Sequence, residues 1–286
     1  MSQINTVAVL GAGTMGHGIA QVCAAVGCEV RMYGINEDAV ASGLERVRGN
    51  LAKGMERGKV TEDECDGVLE RLTTTTSIED AVSSADLVVE AAPESMEIKT
   101  HIFGAVDSAA PPHAILASNT SSLSIAEIAA VVSDPSRFVG MHFFNPVHIM
   151  ALVEVVWGHA TSDATRDAAV AFARRLGKEP IVVKDAPGFA SSRLGIVLGM
   201  EAIRMVEQGV ASPEDIDKAM ELGYRHPMGP LRLTDLVGLD VRLSIAEYLH
   251  KTLGSEAFAP PELLRRMVAD GKLGKKTGQG FYSWND

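Results

Sequence analysis

The stretch that decides the fold is Thr6–Ala20, which reads TVAVLGAGTMGHGIA. Its first five residues form an apolar run of the kind found in buried strands. Gly11, Gly13 and Gly16 follow with G-x-G-x-x-G spacing and lead into an Ala-rich helical stretch. In this strand–turn–helix context the spacing favours dinucleotide binding, because the glycines permit a tight turn, approach of the pyrophosphate to the backbone, and close helix–strand packing. The alternative is an ordinary glycine turn of an α/β protein.

Apolar runs and helical patterns alternate as far as Asp185. Asn36 is expected to cap a helix that runs toward Arg57, and another helix is expected from Thr61 to Leu72. Further strands are predicted at Glu29–Tyr33, Leu87–Val89, Ile115–Ala117, Val139–His142, Val153–Val156 and Ile181–Val183. This alternation predicts a mostly parallel, doubly wound α/β sheet of Rossmann type with helices on both faces.

The pattern changes after Asp185. Pro187-Gly188 is a turn signal, and the residues from there to Ala269 have helical spacing. We therefore expect a dinucleotide-binding domain over residues 1–185 and an all-α domain over residues 186–286.

Composition limits the function classes. The 286-residue chain has a formal net charge of −11, which argues against nucleic acid or an anionic membrane as its main partner. Its three cysteines lack CxxC or His/Cys ligand spacing, so neither disulfides nor a metal site is expected. The polar start and the absence of a run of about 18 apolar residues predict a cytoplasmic protein without a membrane helix.

The second strand bears on the choice of cofactor. An acidic residue that binds the adenosine ribose is expected roughly 20 residues after the glycine turn. Gly34 stands at that position, with Asn36 and Glu37 as the nearest polar substitutes and Arg31 as the nearest cation. The sequence therefore leaves NAD and NADP both open.

Seven stretches, in order along nearly the whole chain, resemble the 3-hydroxyacyl-CoA dehydrogenase family. Within that family the chain is most similar to the short, single-function members that act on 3-hydroxybutyryl-CoA. The stretches are GAGTMGHGIA (11–20), DLVVEAAPE (86–94), ASNTSSLSI (117–125), GMHFFNPVHIMALVEVV (140–156), DAPGF (185–189), HPMGPLRLTDLVGLD (226–240) and LGKKTGQGFYSW (273–284).

The resemblance implies a homodimer formed by the helical domain, an acyl-CoA substrate and a nicotinamide cofactor. It also implies that His142 is the catalytic acid/base, that Glu154 orients it and that Ser121 binds the substrate 3-oxygen. Asn145, in the same motif as His142, is a further candidate for the active site. Ser192 holds a position where the family pattern has an asparagine of the active site.

The cofactor-binding candidates are residues of the glycine turn, of the second strand end and of two family motifs. They are Gly11, Gly13, Thr14, Met15, Gly16, Gly34, Glu94, Lys99 and Asn119. Candidates for binding the substrate are Ser121 and, for the CoA phosphates, Lys53, Arg57 and Lys59, which a solvated helix face explains equally well.

The chemistry of alcohol oxidation points to the same residues. A base must accept the hydroxyl proton, and a histidine suits this role because it titrates near neutral pH. His142 ends a predicted strand, and Glu154 begins the next one, where it can fix the imidazole and stabilise its cation. Ser121 can stabilise a developing alkoxide, or it can be only the cap of a helix.

Four functions fit these features. The leading one is oxidoreduction of 3-hydroxyacyl-CoA. The second and third are the same chemistry on a carrier-protein-bound acyl group and on a sugar acid such as gulonate. The fourth is a low-activity scaffold of this fold, since Gly34 and Ser192 both depart from the family pattern.

Overall fold

The computed structural model describes residues 3–284. The chain divides into two compact units, residues 1–186 and residues 187–286. The first unit contains the glycine turn, and the second begins at Pro187, the turn signal in the sequence.

One eight-stranded sheet forms the centre of the first unit. Its strands are β1 Thr6–Leu10, β2 Glu29–Tyr33, β3 Leu72–Thr75, β4 Leu87–Glu90, β5 Ile115–Ser118, β6 Phe138–Phe143, β7 Leu152–Trp157 and β8 Glu179–Lys184. They lie in the order β3-β2-β1-β4-β5-β6-β7-β8, and only the β6–β7 pair is antiparallel. The predicted Rossmann-type doubly wound sheet is confirmed.

Helices cover both faces of this sheet. They are α1 Gly16–Ala25, α2 Glu37–Glu56, α3 Glu62–Glu70, α4 Ile78–Val82, α5 Met96–Ala109, α6 Ile125–Ala129 and α7 Asp163–Arg175. Because both faces are covered, the central strands are buried, and β1 and β4 are apolar apart from Thr6 and Glu90.

The segment after α2 differs from the expectation. The helix predicted from Thr61 to Leu72 ends at Glu70, and Leu72 instead begins β3, a strand that the pattern analysis missed. Thr61 caps α3 in a reciprocal capping box with Glu64. The run of threonines after Leu72 is β-branched and pairs in parallel with β2, so tertiary pairing overrides the short helical pattern.

The order of the strands places a crevice at the end of β1. The chain leaves β1 for β2 and β3 on one side and then returns to β4 on the other side. Ligands of open α/β sheets bind at such a switch point, beyond the carboxyl ends of the strands. The glycine turn occupies this position.

The second unit is helical, as expected. Its helices are α8 Ser191–Glu207, α9 Pro213–Gly223, α10 Pro230–Val237, α11 Leu239–Leu253 and α12 Glu262–Ala269. Two buried carboxylates attach its closing segment: Asp235 accepts hydrogen bonds from the Phe281 and Tyr282 amides and the Trp284 indole, and Asp217 accepts one from the Tyr282 hydroxyl. Of the helices in residues 3–284, none has the length and hydrophobicity to cross a membrane.

Candidate active site

The glycine turn after β1 has the shape of a phosphate-binding loop. Gly11 has φ +124°, and a Cβ there would lie 2.6 Å from the Ala91 carbonyl oxygen. A Cβ at Gly16 would lie 1.6 Å from the Gly11 carbonyl oxygen, so only glycine allows α1 to start this close to the strand. At Gly13 a Cβ would meet no protein atom within 4 Å. Packing therefore does not require the glycine at position 13, whereas close approach of a ligand does.

The start of α1 also suits an anion. Its first turn carries no acidic residue, and Met15 at the N-cap position makes no side-chain hydrogen bond to the helix. Thr14 and Gly13 are exposed just before it. Backbone N–H groups at such a helix start attract phosphate groups.

A buried histidine–glutamate pair lies on β6 and β7. The antiparallel register places His142 directly opposite Glu154, and Nδ1 of the ring is 2.8 Å from Oε2 of the carboxylate. His142 retains 6% of its exposed surface and Glu154 none. Since an ionised carboxylate only accepts hydrogen bonds, Glu154 selects the tautomer that carries hydrogen on Nδ1 and leaves Nε2 as the acceptor nitrogen.

Neighbouring residues hold this pair in place. The His142 ring packs against Phe144 with 4.4 Å between ring centroids. Asn119, predicted as a cofactor residue, follows β5, and its side-chain oxygen accepts a 2.8 Å hydrogen bond from the Phe143 amide. Asn119 therefore joins the end of β5 to the strand that carries His142.

The loop that contains Ser121 is organised by Glu94. Oε1 of Glu94 accepts hydrogen bonds from the Thr120 hydroxyl at 2.6 Å and from the Ser121 amide at 2.9 Å. Ser121 does not cap a helix: Ser124 caps α6 by accepting from the Glu127 amide. The helix-cap interpretation of Ser121 is wrong, because three further residues separate it from the helix.

Lys99 is buried in the same region and has two acidic neighbours. Its Nζ lies 2.7 Å from Oε1 of Glu90 and 3.4 Å from Oε2 of Glu94. Glu90 is fully buried at the end of β4, and its other oxygen accepts a 2.6 Å hydrogen bond from the Ser118 hydroxyl. Sequence reasoning missed Glu90 and Ser118. A charged residue ending the apolar strand LVVE was the available signal.

A cavity of about 840 Å³ in the first unit brings together the basic candidates. Lys53, Arg57 and Lys59 line it, as does Asn145, three residues after His142. Six further polar residues line it that the sequence analysis did not assign: His17, Gln21, Asn50, Glu64, Arg71 and His148. Burial lowers the pKa of His148, so its imidazole favours the neutral form.

The surroundings of Gly34 bear on cofactor choice. A Cβ there would lie 2.7 Å from Cγ1 of Val40 and 3.1 Å from the Val40 amide nitrogen. Asn36 caps α2 through a 2.9 Å hydrogen bond from the Ala39 amide, and Arg31 donates a 2.7 Å hydrogen bond to the Asp80 carbonyl oxygen. Both polar groups therefore have local structural partners.

Ser192 belongs to the other unit. It is the second residue of α8 and is half-buried.

The glycine turn at the switch point and the buried histidine–glutamate pair define a nicotinamide-dependent dehydrogenase. Residues 6–186 match the family described as "3-hydroxyacyl-CoA dehydrogenase, NAD binding domain", and residues 188–284 match "3-hydroxyacyl-CoA dehydrogenase, C-terminal domain". The chain belongs to the 3-hydroxyacyl-CoA dehydrogenase family. It is an oxidoreductase that interconverts 3-hydroxyacyl-CoA and 3-oxoacyl-CoA.

Individual relatives extend over the whole chain. A Bacillus subtilis protein named "Probable 3-hydroxybutyryl-CoA dehydrogenase" is 49% identical and covers 99% of both chains. The crystal structure of (S)-3-hydroxybutyryl-CoA dehydrogenase from Ralstonia eutropha is 45% identical, has a TM-score of 0.95, and covers 99% of this chain and 100% of that chain. The Escherichia coli 3-hydroxyadipyl-CoA dehydrogenase is 41% identical over 99% of this chain and 60% of its own length.

Proposed function

We propose that the protein reduces acetoacetyl-CoA to 3-hydroxybutyryl-CoA, and catalyses the reverse reaction, with NAD(H) as its preferred cofactor. The observation that carries the proposal is the buried His142–Glu154 pair. It lies at the carboxyl ends of the parallel strands, where the glycine turn also lies. Close relatives named for 3-hydroxybutyryl-CoA support the short acyl chain. The intact pair disfavours a non-catalytic scaffold.

His142 acts as the acid and base of the reaction. In the oxidation, Nε2 accepts the proton of the substrate hydroxyl, and in the reduction it returns a proton to the 3-oxygen. Glu154 is fully buried, so its charge stabilises the imidazolium without screening by solvent. Ser121, positioned by Glu94, donates a hydrogen bond to the 3-oxygen as negative charge develops there.

The glycine turn fits a nicotinamide dinucleotide. Gly11, Gly13, Thr14 and the start of α1 would hold its pyrophosphate, and the open space at Gly13 is the observation that supports this. When bound, the cofactor supplies the hydride acceptor of the oxidation. Glu94, Lys99 and Asn119 would line the nicotinamide side of the site.

The residues in and after the second strand favour NAD over NADP. Arg31 is the nearest cation in the sequence, and its Nη1 already donates a hydrogen bond to the Asp80 carbonyl oxygen, which disfavours its turning to a 2′-phosphate. Gly34 supplies no carboxylate to the ribose, so we expect weak NAD binding and reduced discrimination against NADP, not a dedicated NADP enzyme.

The basic cavity would bind CoA. Lys53, Arg57 and Lys59 supply cations for its phosphates, and Asn145 joins this lining to the strand that carries His142. A local basic pocket is needed because the chain as a whole is acidic.

A homodimer and a cytoplasmic location complete the proposal. The dimer follows from the family resemblance, and Leu194, Leu222 and Tyr224 of the helical unit, which are 68%, 80% and 75% exposed, are apolar side chains that such an interface would cover. The three buried cysteines are free thiols, which suits a reducing compartment. A monomer by light scattering at micromolar concentration contradicts the dimer.

The deciding assay measures absorbance during acetoacetyl-CoA reduction, with NADH and NADPH side by side. We expect turnover with both and a lower Michaelis constant for NADH. No turnover with either cofactor contradicts the proposed function, and a strong preference for NADPH contradicts the cofactor assignment.

A further inference from the structure

Glu90 is a buried acid to which the proposed reaction gives no role. It ends β4, and both Glu90 and the three apolar residues before it are fully buried. An apolar side chain would fill such a position with a smaller desolvation penalty. The carboxylate instead accepts three hydrogen bonds, and the groups that donate them indicate what it does.

One oxygen of Glu90 holds the loop that follows β4. Oε1 accepts hydrogen bonds from the Ala92 amide at 2.6 Å and from Nζ of Lys99 at 2.7 Å. Nζ also donates to the Ala92 carbonyl oxygen at 3.3 Å and lies 3.4 Å from Oε2 of Glu94. These three acceptors match the three hydrogens of an ammonium group. The chain itself therefore fixes the position of the buried Lys99.

One cation thus lies between two carboxylates of unequal exposure. Glu90 is fully buried, whereas the side chain of Glu94 is 40% exposed. Water weakens the interaction of an exposed charge, so the closer, buried pair with Glu90 decides where the ammonium lies. Lys99 then holds Glu94 from this fixed position. The orientation of the carboxylate that accepts from the Ser121 amide therefore depends on Glu90.

The other oxygen of Glu90 reaches the same loop by a second route. Oε2 accepts a 2.6 Å hydrogen bond from the hydroxyl of Ser118, which is fully buried at the end of β5. The oxygen of Ser118 in turn accepts from the Thr120 amide at 3.3 Å. Thr120 also donates through its hydroxyl to Oε1 of Glu94 at 2.6 Å. The two routes from Glu90 therefore meet at Thr120, the residue before Ser121.

We propose that Glu90 is a positioning residue that fixes the backbone around Ser121. It acts through Lys99 on one side and through Ser118 on the other. The inference rests on the proposed function, in which the Ser121 hydroxyl donates to the substrate 3-oxygen. Glu90 has no exposed surface, so it does not itself touch substrate or cofactor. A donor held by a closed ring of hydrogen bonds needs no reorganisation when the oxyanion develops.

The charge of Glu90, and not only its size, is needed for this role. In Glu90→Gln the side-chain carbonyl can still accept from the Ala92 amide and from Lys99, which only donate. The amide NH₂ then faces Ser118, so the hydroxyl hydrogen of Ser118 loses its acceptor. With one negative charge removed, Lys99 is attracted by Glu94 alone. Both changes displace the loop that carries the active-site serine.

A double-mutant cycle with Ser121 tests this role. Ser121→Ala should lower kcat for acetoacetyl-CoA reduction by about 10²- to 10³-fold, the range for one donor to a developing oxyanion. Glu90→Gln should lower kcat by about tenfold and leave the Kd for NADH within about threefold of the wild type, since only the alignment of that donor is weakened. In the Ser121→Ala background, Glu90→Gln should lower kcat by less than about twofold, because the hydroxyl that it positions is absent.

Two further variants complete the design. Glu97→Gln is the matched control, because Glu97 is an exposed glutamate of α5 two residues before Lys99, and it should leave kcat unchanged in both backgrounds. Ser118→Ala breaks only the second route from Glu90. It should give a smaller loss of kcat that also disappears in the Ser121→Ala background, and it keeps the test decisive if Glu90→Gln does not fold.

Three results would overturn the inference. The first is a wild-type kcat in Glu90→Gln. The second is a loss by the same factor in the wild-type and Ser121→Ala backgrounds, which would show a general disturbance of the fold. The third is a loss of NADH affinity as large as the loss of kcat, which would show that Glu90 acts on the cofactor. If Ser121→Ala keeps wild-type turnover, or if the wild type does not reduce acetoacetyl-CoA, the proposed function has failed, and the inference fails with it.

Discussion

Replacing Glu154 with glutamine tests how much the buried carboxylate contributes to proton transfer. Glutamine keeps the size of the side chain and a carbonyl oxygen that can accept the 2.8 Å hydrogen bond from Nδ1 of His142. The orientation of the ring should therefore survive, and only the negative charge is lost. Both residues are buried, so solvent does not replace that charge.

The magnitude follows from the distance between the two charges. Their centres are about 4 Å apart, and at an effective dielectric constant of about 20 such a pair is worth about 4 kcal/mol. The proton is only partly transferred in the transition state, so the loss should lie at about 2–4 kcal/mol. This corresponds to a decrease in kcat of about 30- to 1,000-fold.

Steady-state reduction of acetoacetyl-CoA measures the effect, and calorimetric titration with NADH shows whether cofactor binding is retained. Glu179→Gln is the matched control, because Glu179 lies on the adjacent strand β8 and is exposed. A loss of less than threefold in Glu154→Gln would refute the reasoning, since the carboxylate would then not stabilise the imidazolium. An equal loss in the control would show that the substitution disturbs the sheet.

Four further substitutions test other parts of the site. His142→Gln should lower kcat by about 10²- to 10⁴-fold with the Kd for NADH nearly unchanged, and near wild-type turnover would remove the acid/base role. Gly34→Asp should lower the Michaelis constant for NADH by about tenfold and raise that for NADPH, each relative to Gly34→Ala. The alanine variant is the control because it reproduces the crowding against Val40. Equal Michaelis constants in the two variants would mean that position 34 does not face the ribose. Ser192→Asn should raise turnover or leave it unchanged because it restores the family's amide, and a large loss would indicate a pocket rebuilt around serine. Arg57→Ala should raise the KM for acetoacetyl-CoA several-fold at constant kcat, and an unchanged KM at low salt would remove Arg57 from the CoA site.

Local sequence signals predicted most elements of the fold. Asn36 is the cap of α2, as expected, because a side chain that accepts from the helix start acts within a few residues. β3 was missed because its four residues become a strand only by pairing with β2, about 40 positions earlier in the chain. The exception to parallel pairing, between β6 and β7, was equally invisible to periodicity, although it places His142 opposite Glu154.

The sequence by itself determined the class of fold and the chemical candidates. Apolar runs, helix caps and the G-x-G-x-x-G turn are contiguous signals, and the family motifs point to His142, Glu154 and Ser121. Tertiary structure alone decided which side chains are available to a ligand, because a hydrogen bond across the fold removes a group that the sequence leaves open. Arg31 donates to the Asp80 carbonyl oxygen and Glu94 organises the loop of Ser121, in both cases through contacts with residues distant in sequence.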